Sequence, residues 1–228
     1  MKSFLTTMAI LICCGASFSQ TTEIITVKAG QNISDVYKEI YRYPQFTAGR
    51  VYFMNGDVSA AKLNYNLISQ IMLFTNNTGD TLAIDNESTI KYITIAKDTF
   101  YYDEGYLELV ENYSHVKLAI KQKIKFSDKK KIGAFGMPTS TVKTESDDTF
   151  LGDRRYNFTI AEDLIFKKET EFYLNDDANH FLAINKKNLL RLYPKKKDSI
   201  ENFLKENNIN LREEKGIKLL VQFLNQSS

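Results

Sequence analysis

The chain has 228 residues, 43% hydrophobic and 25% charged, with three prolines, no tryptophan and a formal net charge of +2. This composition excludes intrinsic disorder, because enough apolar surface is present to offset the entropy of ordering the chain. Its two cysteines sit side by side at 13 and 14. They belong to the segment read below as a signal peptide, so disulfides, thiolate nucleophiles and Cys-ligated zinc are excluded from the mature protein.

Lys2, the apolar run Met8–Cys14 and the small-x-small end Ser17-Phe18-Ser19 follow the order of a secretory signal peptide. Cleavage after Ser19 leaves Gln20 as the new N-terminus. The apolar run falls short of the roughly 20 residues that span a bilayer, so no transmembrane segment is expected. The expected location is periplasmic or secreted, which removes nucleic acid, cytosolic cofactors and ATP-driven chemistry from the partners. The rival is a lipid anchor at Cys13 or Cys14. Neither cysteine follows the small residue that a lipobox places there, so free export is the expectation.

Charge is uneven along the rest. From Asn185 onward the chain holds ten Lys/Arg and five Asp/Glu, whereas residues 20–184 hold nineteen and twenty-three. A mildly basic tail follows a mildly acidic body.

The expected architecture is α+β, an antiparallel β-meander (a sandwich or a partial barrel) with a small C-terminal helical cap. It divides into a signal peptide (1–19), a β-rich domain (20–184) and the cap (185–228). Ser34 can cap a short helical turn carrying Val36 and Ile40. From Gly49 to Phe126 the pattern has period two. Leu63-Asn-Tyr-Asn-Leu67, Ile71–Phe74, Thr81–Ile84 and Ile93/Ile95 read as strands. The clusters Asn55-Gly56-Asp57, Asn76–Asp80 and Asp103-Glu104-Gly105 read as turns. Val116, Leu118, Ile120, Ile124 and Phe126 share one parity, while Lys117, Lys121, Lys123 and Lys125 share the other. Only an extended strand separates them this way.

Residues 127–149 read as a long loop, and strands resume at Tyr156–Ile160 and Leu164–Leu174. Asn175–Asn179 is a turn leading to Phe181–Ile184. Asn185 then caps a helix ended by Pro194. Asp198 and Glu201 have capping-box spacing. Ile217, Leu220, Val221 and Leu224 form the stripe of a final helix. Asp98-Thr-Phe-x-x-Asp-x-x-Tyr106 echoes 148–156, too little to establish a repeat.

No residue pattern assigns a catalytic, cofactor-binding or metal site. His115 and His180 are the only histidines, and no nucleophile elbow or zinc helix accompanies them. The acidic pairs Asp103/Glu104, Asp147/Asp148, Asp176/Asp177 and Glu213/Glu214 fall mostly in turns. The run Asn175–Asn179 lacks the spacing of a calcium loop. The lysine face of 117–125 could meet an anionic glycan or lipid headgroup, but such lysines commonly keep an exposed strand from pairing. The tyrosines around Phe100–Tyr106 could stack on a sugar, but tyrosine favours strands and sheet packing is the default explanation.

Leu63–Leu67, Thr78-Gly-Asp-Thr-Leu82, Gly133-Ala-Phe-Gly136 and the stretch from Phe172 to Phe223 resemble small uncharacterised secreted proteins of Bacteroidota. The resemblance implies an exported β-rich protein and brings no activity or site. The functional expectation is a non-enzymatic binding or envelope-associated module, with a cell-envelope component or a glycan as partner. A carboxylate-based glycan hydrolase is the alternative, and it needs two carboxyl groups about 5–9.5 Å apart across a cleft.

Overall fold

Alternating side chains and turn residues produce twelve strands in a computed structural model that describes residues 20–31, 38–114, 116–132, 138–140, 163–175 and 180–226. They are β1 (Gln20–Val27), β2 (Thr47–Phe53), β3 (Val58–Asn66), β4 (Ile71–Thr75), β5 (Thr81–Ala83) and β6 (Ile90–Ile95). Then follow β7 (Asp98–Tyr102), β8 (Tyr106–Asn112), β9 (Lys117–Ile132), β10 (Pro138–Ser140), β11 (Asp163–Asn175) and β12 (Phe181–Ala183). Every pairing is antiparallel, in the order β1-β11-β9-β8-β7-β6-β2-β3-β4-β5, with β10 beside β9 and β12 beside β11. Two runs of hairpins, β2 to β5 and β6 to β9, are joined where β6 returns to lie against β2.

The sheet is open: among the described residues β1 and β5 end it without pairing to each other. It curls nonetheless. Ile124 N–H donates to Leu67 O at 2.8 Å, and Gln70 Nε2 donates to Gln122 O at 2.9 Å, so the β3–β4 turn touches β9.

The curl encloses the main core, built by Val51, Leu63, Tyr65, Met72, Ile93, Ile95, Phe100, Tyr106, Ile124 and Phe166. Period-two alternation puts these residues on one face. One glycine is required for the strands to approach: a Cβ on Gly49 would lie 2.5 Å from Thr94 O and 2.7 Å from Leu63 Cδ1. On the outer face Leu107, Ala119 and Phe181 form a small cluster with Tyr101 and Tyr173.

The C-terminal part forms three helices, α1 (Lys186–Leu192), α2 (Lys197–Glu206) and α3 (Glu214–Gln226). Leu189, Ile200, Ile217, Leu220, Val221 and Leu224 are all buried against Val116, Leu118, Phe172, Leu174 and Ile184. The basic tail is therefore a cap on one end of the sheet. Asn185 caps α1 as expected, accepting from Asn188 N–H. Among the described residues no helix is long and apolar enough to cross a membrane.

Three expectations change. Asp198 does not cap α2: the helix begins at Lys197, because the 3-10 turn Pro194–Lys196 runs straight into it. Residues 127–149 are not one loop. β9 continues to Ile132 because β11 pairs with it along its length, past a register shift between Ile165 and Phe166. β10 then pairs with its end. The helical turn from Ser34 is described only at 38–40, and the Tyr156–Ile160 strand, the Gly133–Gly136 motif and the second copy of the echo lie outside the described residues.

Candidate functional site

Carboxylates come together at one inner position. The segment 40–43 runs beside the end of β3: Leu67 N–H donates to Ile40 O at 2.7 Å and Arg42 N–H to Tyr65 O at 2.9 Å. The amide of Asn64 fixes the next residue, accepting from Tyr43 N–H at 3.1 Å and donating to Tyr43 O at 2.9 Å. Arg42 is thereby aimed across the curl. Its Nε and Nη2 both donate to Glu108, each at 2.7 Å, and Nη2 lies 3.7 Å from Asp98. Tyr43 Oη donates to Asp98 at 2.7 Å, and the guanidinium stands 5.0 Å from the Tyr43 ring centroid.

The hydrogen bonds to Glu108 hold the Arg42 pKa above its ordinary value, outweighing burial. Burial, helped by Asp98, pushes the Tyr43 hydroxyl up as well. Two carboxylates meet here, but both oxygens of Glu108 are taken by Arg42. The arrangement ties the 40–43 segment to β7 and β8. Nearby, Tyr65 and Tyr106 bury hydroxyls that have no hydrogen-bond partner among the described residues. Their rings stand 5.7 Å apart, edge to face.

The lysines of β9 face a matching row on β11, in the pairs Lys123↔Glu169 and Lys121↔Glu171. Lys123 Nζ lies 2.5 Å from Glu171 and 3.4 Å from Glu169, and Lys125 Nζ lies 2.9 Å from Glu169. Lys121 Nζ donates to Glu104 O, and Lys117 Nζ stands 5.2 Å from the Tyr101 ring centroid. Burial would raise the pKa values of Glu169 and Glu171, but the lysines outweigh it and hold both below the ordinary glutamate range. Two glutamates thus offset Lys123 and Lys125, while Lys121 and Lys117 are engaged by a carbonyl and a ring.

Farther along the same outer face, on β2 and β3, stand two more cations. Arg50 of β2 pairs with Ala60 of β3, and Ala48 pairs with Lys62. Arg50 and Lys62 are thus diagonal neighbours, about 7–8 Å apart at the backbone. Both are exposed, and neither side chain makes a hydrogen bond or ion pair among the described residues. Lys62 lines a groove of about 1120 Å³ between the 41–46 segment and the 75–81 turn. Tyr41, Pro44, Phe46 and Phe74 supply apolar surface there, and Gln45, Asn77, Thr75 and Thr81 supply amides and hydroxyls. A second depression of about 510 Å³ over Ala48, Arg50, Ala60 and Thr94 shares Ala60, Ala61 and Lys62 with the first. Among the described residues no Asp or Glu lines either. Next to Arg50 along β2, Tyr52 stacks on Tyr92 with ring centroids 4.4 Å apart.

The other sequence candidates stay dispersed. Asp103 accepts from Phe181 N–H at 2.7 Å and so anchors β12. Asn175 accepts from Lys117 N–H, Glu213 accepts from the Asn210 amide, and Glu214 pairs with Lys218 along α3. His180 directly precedes β12. Ser19, Cys13, Cys14, His115, Asp147, Asp148, Asp176 and Asp177 lie outside the described residues, while Gln20 opens β1. Among the described residues no three His, Cys, Asp or Glu side chains gather to hold a metal. Sequence reasoning missed Arg50, Lys62 and the Arg42 cluster, since a lone cation is marked only by the missing partner on a neighbouring strand. No family model matches the chain, and neither a curated protein nor a solved structure matches it.

Proposed function

We propose that the chain is exported, cleaved between Ser19 and Gln20, and acts as a non-enzymatic binding module for a glycan or other component of the cell envelope. The observation that carries this reading is the outer-face groove of about 1120 Å³, where aromatic rings, amides and hydroxyls line one continuous surface. Such a mixture suits a sugar, whose C–H faces pack on rings while its hydroxyls meet amides. The order of Lys2, the apolar run Met8–Cys14 and Ser17-Phe18-Ser19 supports the exported address. The resemblance to secreted Bacteroidota proteins supports it too. The contact of the β3–β4 turn with β9 favours a partial barrel as the finer description of the curl.

The test incubates the chain beginning at Gln20 with purified envelope polysaccharides, and measures both co-sedimentation and release of reducing ends. Retention without new reducing ends is expected, with loss of retention in Phe46→Ala. New reducing ends abolished by Glu108→Gln would establish the carboxylate hydrolase instead. No retention on any fraction would refute the binding module.

A further inference from the structure

We infer that the groove and the adjoining depression together select an acidic saccharide, held by Arg50 and Lys62 across the paired faces of β2 and β3; this rests on the binding-module reading above. Charge is the first argument. The two depressions are lined by Arg50, Lys62 and Lys38, with no carboxylate among the described lining residues. Every other outer-face lysine described above is already engaged: those at 123 and 125 by glutamates, those at 117 and 121 by a ring and a carbonyl. Arg50 and Lys62 keep their side-chain donors available, and an arginine beside a lysine suits a carboxylate or sulfate.

Backbone accounting is the second argument. β2 lies between β6 and β3, β3 between β2 and β4, and β4 between β3 and β5. Their N–H and C=O groups are spent on the ladders, so an extended peptide cannot add here as a strand. A ligand on this face is read by side chains alone. Shape is the third. Ala48 and Ala60 leave a low floor between the two cations, and the shared residues join the depressions into one trough across several strands. The Tyr52–Tyr92 stack at one side and the Tyr41–Phe46 pair, 6.1 Å between centroids, at the other offer ring faces for sugar stacking.

The test titrates the chain beginning at Gln20 with an oligogalacturonide, with a neutral gluco-oligosaccharide of equal length, and with phosphatidylglycerol vesicles, using calorimetry at two salt concentrations. The oligogalacturonide is expected to bind, and to bind more weakly at the higher salt. Arg50→Ala with Lys62→Ala should weaken it at least about tenfold, the loss of two charge-assisted hydrogen bonds. Both sites are exposed, so the melting temperature should hold, and Lys125→Ala on the same face should bind as the parent does. Equal binding of the neutral oligomer, or no change in the double variant, would overturn the acidic preference while leaving the binding module standing. Binding to vesicles but to neither sugar would overturn the saccharide class, and silence toward all three probes would overturn the inference outright.

Discussion

Arg42 shows how one side chain can hold two distant parts of a chain in register. It belongs to an irregular segment, yet it satisfies both oxygens of Glu108 on β8 and stands beside Asp98 on β7. Glu108 is only 8% exposed. Removing the guanidinium would leave that carboxylate buried without its partner, a loss that typically costs about 3–5 kcal/mol. Arg42→Ala should therefore lower the urea midpoint strongly. A double change of Arg42→Met with Glu108→Leu should recover part of the loss, because it removes the stranded charge as well as the pair. An equally large loss in the double variant would show that Arg42 acts through packing rather than through Glu108. Position 42 carries no sequence mark of this role. An arginine in Tyr-Arg-Tyr-Pro reads as a surface residue, and its partner lies 66 residues away.

Among elements, the β9–β11 pair and the C-terminal helices can be probed separately. Glu169 and Glu171 have pKa values lowered from 4.5, and Lys123 has one raised from 10.5, burial being outweighed in each case by the opposite charges. A lowered carboxylate pKa contributes stability above the unfolded value and loses it as pH falls through the folded one. The raised lysine contributes below its unfolded value and loses it only as pH climbs through the folded one. The stability gap between the parent and Glu169→Gln/Glu171→Gln should thus be widest near neutrality and close in acid below about pH 4.5. Urea midpoints across that range measure it, and a gap unchanged into acid would disprove the linkage. In the cap, Leu220 is fully buried on α3. Truncation of a packed leucine costs about 2–5 kcal/mol, so Leu220→Ala should melt clearly lower. An unchanged melt would show that the stripe does not serve the core. This stripe was legible from period 3.6 alone, as was the split of β9 from period two. The pairing of β6 with β2 was not, since it joins strands with three others between them. Nor was the length of β9 beyond Phe126, where Lys129-Lys130-Lys131 looks like a loop and only the partner strand sustains extension.

For the whole molecule, β1 forms one edge of the sheet. β1 begins at Gln20 and pairs with β11 over all eight of its residues, from Gln20↔Glu171 to Val27↔Leu164. Ile25 and Val27 reach the main core from this strand. A cut before Gln20 keeps all eight described residues of that edge. A start at Lys28 removes the strand, strips β11 of its neighbour and exposes its backbone, which invites pairing with other chains. Burying a Val or Ile side chain contributes roughly 1.5–3 kcal/mol, so losing both residues together with the ladder would take most of the stability of an ordinary domain. The chain starting at Gln20 is therefore expected to be monodisperse with a cooperative melt, and the chain starting at Lys28 to melt far lower or to aggregate. Intact-mass measurement of the exported protein supplies the other half of the test. A mass beginning at Gln20 without lipid is expected. A diacylated form beginning at Cys13 or Cys14 would tether β1 to a membrane surface, and a product trimmed to Lys28 that melts like the longer chain would show that the edge strand is dispensable.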